Sequence, residues 1–152
     1  MFRYGKMAQR AVSVLSYLAE HHEAAGGRAI SSAEIGLARQ IAPAMTAKLL
    51  SEAAKAGLVS GTTGPGGGYR LAKPPEKIHL GEIIGIYERD NSESMCPFGP
   101  DWCGNNDPCP LHDSFVMLEE QKAAFLVETT LEVFTKPAGK VKGSSSAKFR
   151  RI

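Results

Sequence analysis

Cysteine is scarce in this chain: three in 152 residues, an odd number that argues against a disulfide framework. No apolar run is long enough to span a bilayer. The opening stretch MFRYGKMAQRAVSVLSYLAEHH mixes charges with apolar residues and lacks the continuous apolar block of a secretory signal. These absences predict a cytoplasmic chain, in which thiols stay reduced, with no membrane partner. Two nucleotide signatures are also missing. Tyr69 stands where a dinucleotide fingerprint needs its last glycine, and no Gly-Lys-Ser/Thr follows the glycine cluster as a phosphate loop requires. Away from the cysteines no catalytic constellation is evident, and His21, His22 and His79 read as surface residues. The chain is not expected to be an enzyme.

Acid is absent from the last eighteen residues, which carry six Lys/Arg. The net charge of +2 therefore hides three blocks: +5 over residues 1–73, −9 over 74–134 and +6 over 135–152. Such alternation fits a basic, polyanion-binding half joined to an acidic half. The tail 135–152 is rich in Gly, Ser and Lys, has no periodicity and is expected to be disordered.

The three cysteines fall within fourteen residues as Cys96-x6-Cys103-x5-Cys109, with His112 three residues on. Thiolates bind soft or borderline metals and hold iron–sulfur clusters, and an imidazole completes some two-iron sites. The intervening PFGPDW and GNNDP are turn-rich, so the ligands are expected on a loop.

Met7, Ala11, Val14, Leu15, Leu18 and Ala19 recur at three and four, which predicts an amphipathic helix over 6–22. Ser31 with Glu34 is a capping-box pattern for a second helix ending near Ala38. Pro43 suits the first position of a third helix, Met45, Leu49, Leu50 and Ala53 supply its buried stripe, and Gly57 stops it. Leu58-Val59-Ser60 and Tyr69-Arg70-Leu71 read as strands around the tip Gly64-Pro65-Gly66-Gly67-Gly68. A hairpin after such a helix pair makes a winged helix, and a tip without side chains can approach phosphates or enter the minor groove. The sequence LGEIIGIYE at 80–88 predicts a short helix with Leu80, Ile83, Ile84 and Tyr87 inward. A long helix is expected over 112–134; its Phe115, Leu118, Phe125, Leu126, Leu131 and Phe134 exceed what a small domain buries, so a homodimer interface is expected there.

The fold class is accordingly mainly α with a small β-hairpin wing. The expected divisions are a winged helix-turn-helix domain at 1–75, a short helix and cysteine loop at 76–111, a dimerisation helix at 112–134 and a basic tail at 135–152.

KAGLVSGTTGPGGGYRLAKP at 55–74, LGEIIGIYE and the cysteine trio together resemble the IscR/NsrR-type family of winged-helix iron–sulfur transcriptional regulators, over about residues 1–134. The resemblance implies a homodimer on palindromic double-stranded promoter DNA, with a cluster sensing iron, redox or nitric oxide status. It implies Cys96, Cys103 and Cys109 as cluster thiolates. The Cys109-Pro110-Leu111-His112 run matches the arrangement that gives the IscR branch its fourth ligand to a [2Fe–2S] cluster, although relatives with three cysteines also hold [4Fe–4S]. The nitric-oxide branch takes a carboxylate near the start of the first helix, where this chain reads Met7-Ala8-Gln9-Arg10. By position, Ala44, Thr46, Ala47 and Lys48 are implied to face the major groove, and Thr63, Gly64, Gly66, Gly67 and Arg70 to form the wing contacts. Many relatives carry arginine where Thr63 stands. Other readings of the cysteines stay open: a structural Cys3His zinc site or a thiol-redox site in a DNA-binding regulator, and a redox enzyme or iron–sulfur electron carrier, which leaves the winged-helix half unexplained.

Overall fold

Helix α1 (Lys6–Glu20) crosses the middle of the domain, and its apolar spacing places Ala8, Ala11, Val14, Leu15, Leu18 and Ala19 in the interior. It appears in a computed structural model that describes residues 4–23, 27–88 and 108–135. The helix ends two residues before the predicted boundary at 22, where the His21 ring turns back to the Tyr17 carbonyl at 2.8 Å. At the other end Gly5 offers no side chain for capping. The Glu88 carboxylate, from the far end of the domain, accepts the Gly5 N–H at 2.6 Å. An anion at this position also complements the positive end of the helix dipole.

Helix α2 (Ser32–Arg39) starts as the capping pattern predicts, with Ser31 Oγ accepting the Glu34 N–H at 3.1 Å. Helix α3 (Pro43–Lys55) begins at Pro43 and stops before Gly57, whose φ of +76° suits glycine. Strands β1 (Val59–Thr62) and β2 (Gly68–Leu71) pair antiparallel with Val59 opposite Leu71 and Thr62 opposite Gly68. Ile30 adds a short third rung by exchanging both backbone hydrogen bonds with Tyr69, at 2.9 and 2.8 Å. Gly68 permits this: a Cβ there would stand 2.6 Å from the Ile30 backbone.

A 3₁₀ turn (Pro75–Lys77) leads into α4 (Leu80–Tyr87), whose Leu80, Ile83 and Ile84 are buried as expected. Tyr87 is half-buried and its hydroxyl donates to the Leu49 carbonyl at 2.6 Å, tying α4 to α3. Helix α5 (His112–Glu128) is shorter than predicted. It ends at Glu128 because the next residues turn extended and pair with the approach to α4. The Leu80 N–H donates to the Thr129 carbonyl and the Leu131 N–H to the Ile78 carbonyl, both at 2.9 Å. A second 3₁₀ turn (Leu131–Phe134) then places Leu131 fully inside the core formed by α1 and α4. Leu131 therefore belongs to the winged-helix core, contrary to its assignment to the dimerisation helix.

The core joins Leu15 and Leu18 of α1, Ile35 of α2, Leu49 and Leu50 of α3, Leu71 of β2 and Ile83 of α4. Each such side chain contributes about 1.5–3 kcal/mol when fully buried. Among the described residues no helix is long and apolar enough to cross a membrane. Cys96, Cys103 and the basic tail from 136 lie outside the described residues.

Candidate nucleic-acid interface and cysteine turn

The angle between α2 and α3 is set by a tight turn. Gln40 adopts the left-handed conformation with φ of 54°, and the Ile41 N–H returns to the Gly36 carbonyl at 2.8 Å. Gly36 is required at this crossing, since a Cβ would meet the Ile41 carbonyl at 2.7 Å and Thr46 Oγ1 at 2.9 Å. Thr46 is thus buried at 0 % exposure, and its hydroxyl donates to the Ala42 carbonyl at 3.2 Å. This corrects the assignment of Thr46 to the DNA face. Residues 46, 49, 50 and 53 share one helical face, so Thr46 completes the buried stripe.

The opposite face of α3 presents Ala44, Lys48, Ser51 and Lys55, with Pro43 beside them and Ala47 half-buried. Ser51 and Lys55 were missed in the sequence, although they continue the Ala44–Lys48 spacing by three and four. On α2, Glu34 is gripped by Arg28 through two guanidinium nitrogens, one at 2.9 Å. Hydrogen bonding from Arg28 holds the Glu34 carboxyl below the usual range, and solvent screens this exposed pair.

The wing tip is a four-residue turn in which the Gly67 N–H reaches the Gly64 carbonyl at 2.9 Å. Pro65 and Gly66, the latter at φ +73°, occupy its centre, the arrangement a type II turn favours. Thr63, Gly64, Pro65 and Gly66 are exposed. Gly67 is half-buried and structural, because a Cβ there would lie 2.5 Å from the Thr62 carbonyl. Arg70 sits on β2 beyond the tip, half-buried, and lines a shallow cleft with Leu18, His22, Arg28 and Tyr69.

Cys109 is buried at 7 % exposure, just ahead of α5. His112 is the first residue of that helix, half-buried, and its N–H donates to the Cys109 carbonyl at 2.9 Å. One turn therefore carries a thiol and an imidazole side by side at the start of a helix. Among the described residues no three metal-ligating side chains converge. Helix α5 itself buries no residue, and its Val116, Met117, Leu118, Phe125 and Val127 are exposed.

Known proteins match this architecture. The family described as Rrf2, iron-dependent transcriptional regulator, matches residues 4–137. A protein of Aquifex aeolicus (strain VF5), assigned by class as an HTH-type transcriptional regulator, is 32% identical over 124 residues, 80% of this chain and 83% of its own. The HTH-type transcriptional regulator IscR of Klebsiella pneumoniae (strain 342) is 37% identical over 84 residues, 55% of this chain; the match spans 51% of that protein. Among solved structures, the global cysteine regulator CymR of B. subtilis superimposes with TM-score 0.75 at 21% identity, covering 89% of this chain and 97% of that one. IscR of T. potens gives TM-score 0.70 at 22% identity, covering 95% and 93%. These two structural likenesses carry the winged-helix fold.

Proposed function

The chain belongs to the Rrf2 family of transcriptional regulators, and on that premise we propose that it is a homodimeric promoter-binding protein controlled by an iron–sulfur cluster. Proteins of this family are DNA-binding regulators rather than enzymes. The observation that carries the finer reading is the Cys109–His112 turn, placed at the head of a helix that buries none of its residues among those described.

Each part of the chain has a distinct task in this proposal. Helix α3 enters the major groove through its Ala44–Lys48–Ser51–Lys55 face, and the Thr63–Gly66 tip lies against the backbone or minor groove. The exposed apolar side chains of α5 cover one another in a second copy, which generates the two-fold axis that a palindromic site requires. Two recognition helices must then meet half-sites about 34 Å apart, so their spacing governs affinity.

The donor set fits an iron–sulfur group: three thiols and one imidazole, with Cys109 and His112 on consecutive turns of backbone at the entrance to α5. Cys96, Cys103, Cys109 and His112 would hold the cluster, [2Fe–2S] by the His112 match and [4Fe–4S] if only the thiolates bind. When bound, it supplies a centre responsive to iron, redox state or nitric oxide. The chain's own part is mechanical: Cys109 links the ligand segment directly to α5, and Glu88 anchors the start of that segment on the N-terminus of α1. The protein reads as cytoplasmic.

Anaerobic purification with iron, sulfide and zinc analysis and visible spectra tests the cofactor. Stoichiometric iron and sulfide are expected, with different gel shifts for holo and apo protein on at least one promoter. Zinc without sulfide identifies a structural zinc site and rejects the sensor. His112→Ala alters the visible spectrum if the imidazole is a ligand; an unchanged spectrum removes it from the site.

A further inference from the structure

The outward face of α3 has little hydrogen-bonding chemistry where it matters most. From its start it presents Ala42, Pro43 and Ala44 in the open, with Ala47 half-buried behind them. Thr46 carries the lone side-chain hydroxyl of residues 42–47, and it points into the core, engaged with the Ala42 carbonyl. Base edges in the major groove are read by paired hydrogen bonds from Arg or Lys to guanine, Asn or Gln to adenine, and carboxylates to cytosine. The first turn and a half of α3 offers none of these. Polar groups begin only with Lys48, Ser51 and Lys55, further along the helix. A lysine is a flexible point charge suited to phosphates. The wing repeats the pattern, with Thr63, Gly64, Pro65 and Gly66 at its exposed tip.

We infer that this protein selects its operator through thymine 5-methyl groups lying against Ala44 and Ala47, together with groove shape, rather than through hydrogen bonds to base edges from the first turn and a half of α3. The inference rests on α3 being the recognition helix. The alanine methyl is the group that remains once longer side chains are removed, and thymine is the base that presents a methyl in the major groove. Short side chains also let the helix axis approach the groove floor closely, so affinity depends on groove width and on how readily the duplex deforms. Specificity of this kind favours half-sites with thymines at the centre of the α3 footprint.

The test removes the methyl alone. Sites are first enriched from a random duplex pool with the full-length protein, and each thymine of the enriched half-site is then replaced by uracil. Uracil keeps every hydrogen-bonding group and shape feature of the base pair except the methyl. Loss of affinity of about fourfold per contacted methyl is expected, the equivalent of one buried methylene. In the variant Ala44→Gly/Ala47→Gly the same replacements should cost less than twofold. An enriched site whose affinity ignores every uracil replacement overturns the inference and leaves the regulator reading intact. A pool in which nothing is enriched overturns both. The uracil scan on the unaltered protein decides the matter even if the glycine variant does not fold.

Discussion

Helices α1 and α5 have similar length, 15 and 17 residues, and both are rich in apolar side chains, yet α1 buries seven residues and α5 none. In α1 the apolar residues fall on one face, which α2, α3, α4 and β2 surround. In α5 the half-buried Leu126 packs back against the core, where Gly81 of α4 lets it approach closely. Val116, Met117, Leu118, Phe125 and Val127 are left facing solvent. A helix draws most of its stability in a protein from packing an apolar face, so α1 is completed by the described domain, whereas α5 gains little from it.

Truncation should separate the two regions most sharply. Leu49→Ala in the α3 core should cost about 2–5 kcal/mol, read as a lower denaturant midpoint. A result near zero would mean that the α1-centred core is not what holds the domain. Charging α5 with Met117→Glu/Phe125→Glu should leave the denaturant stability of the winged-helix half within about 0.5 kcal/mol. Sedimentation should nonetheless show the molecular mass halved and affinity for a palindromic duplex reduced. An unchanged dimer would place the interface elsewhere.

The smallest expected effect lies at the tie between α4 and α3. Tyr87→Phe should cost about 1 kcal/mol through loss of the bond to the Leu49 carbonyl. Burial, aided by the nearby Glu52 carboxylate, pushes the Tyr87 phenol up to about 12. The folded state thus retains a proton that the unfolded chain releases near the ordinary value of about 10. The advantage of wild type over Tyr87→Phe should be complete below about pH 10 and shrink as pH rises toward 12. An advantage that grows across this window would contradict the buried, protonated phenol.

Much of the architecture was legible because it is encoded over a few neighbouring residues. Ser31 with Glu34, Pro43, Gly57 and the Gly64–Gly67 tip each act through a bond or a dihedral angle at their own position. Even there the capping box is only half made at Ser31: Glu34 accepts from Arg28 instead of turning back to the cap. Thr46 was misplaced because its role was carried over by position from the family resemblance, whereas the close crossing at Gly36 turns its hydroxyl inward to the Ala42 carbonyl. The end of α5 was misplaced because the apolar periodicity runs through Leu131, and nothing local announces that Thr129 and Leu131 will pair with residues 78–80.

The sequence by itself determined the order of the elements, the glycine-built wing and the proximity of Cys109 to His112, since backbone preference and short spacing are local properties. Tertiary structure alone decided which face of α3 is free, that Leu131 closes the first core, that Glu88 caps α1 and that α5 stays uncovered. Those outcomes depend on segments up to 83 residues apart in the chain coming together, and no local pattern carries that information.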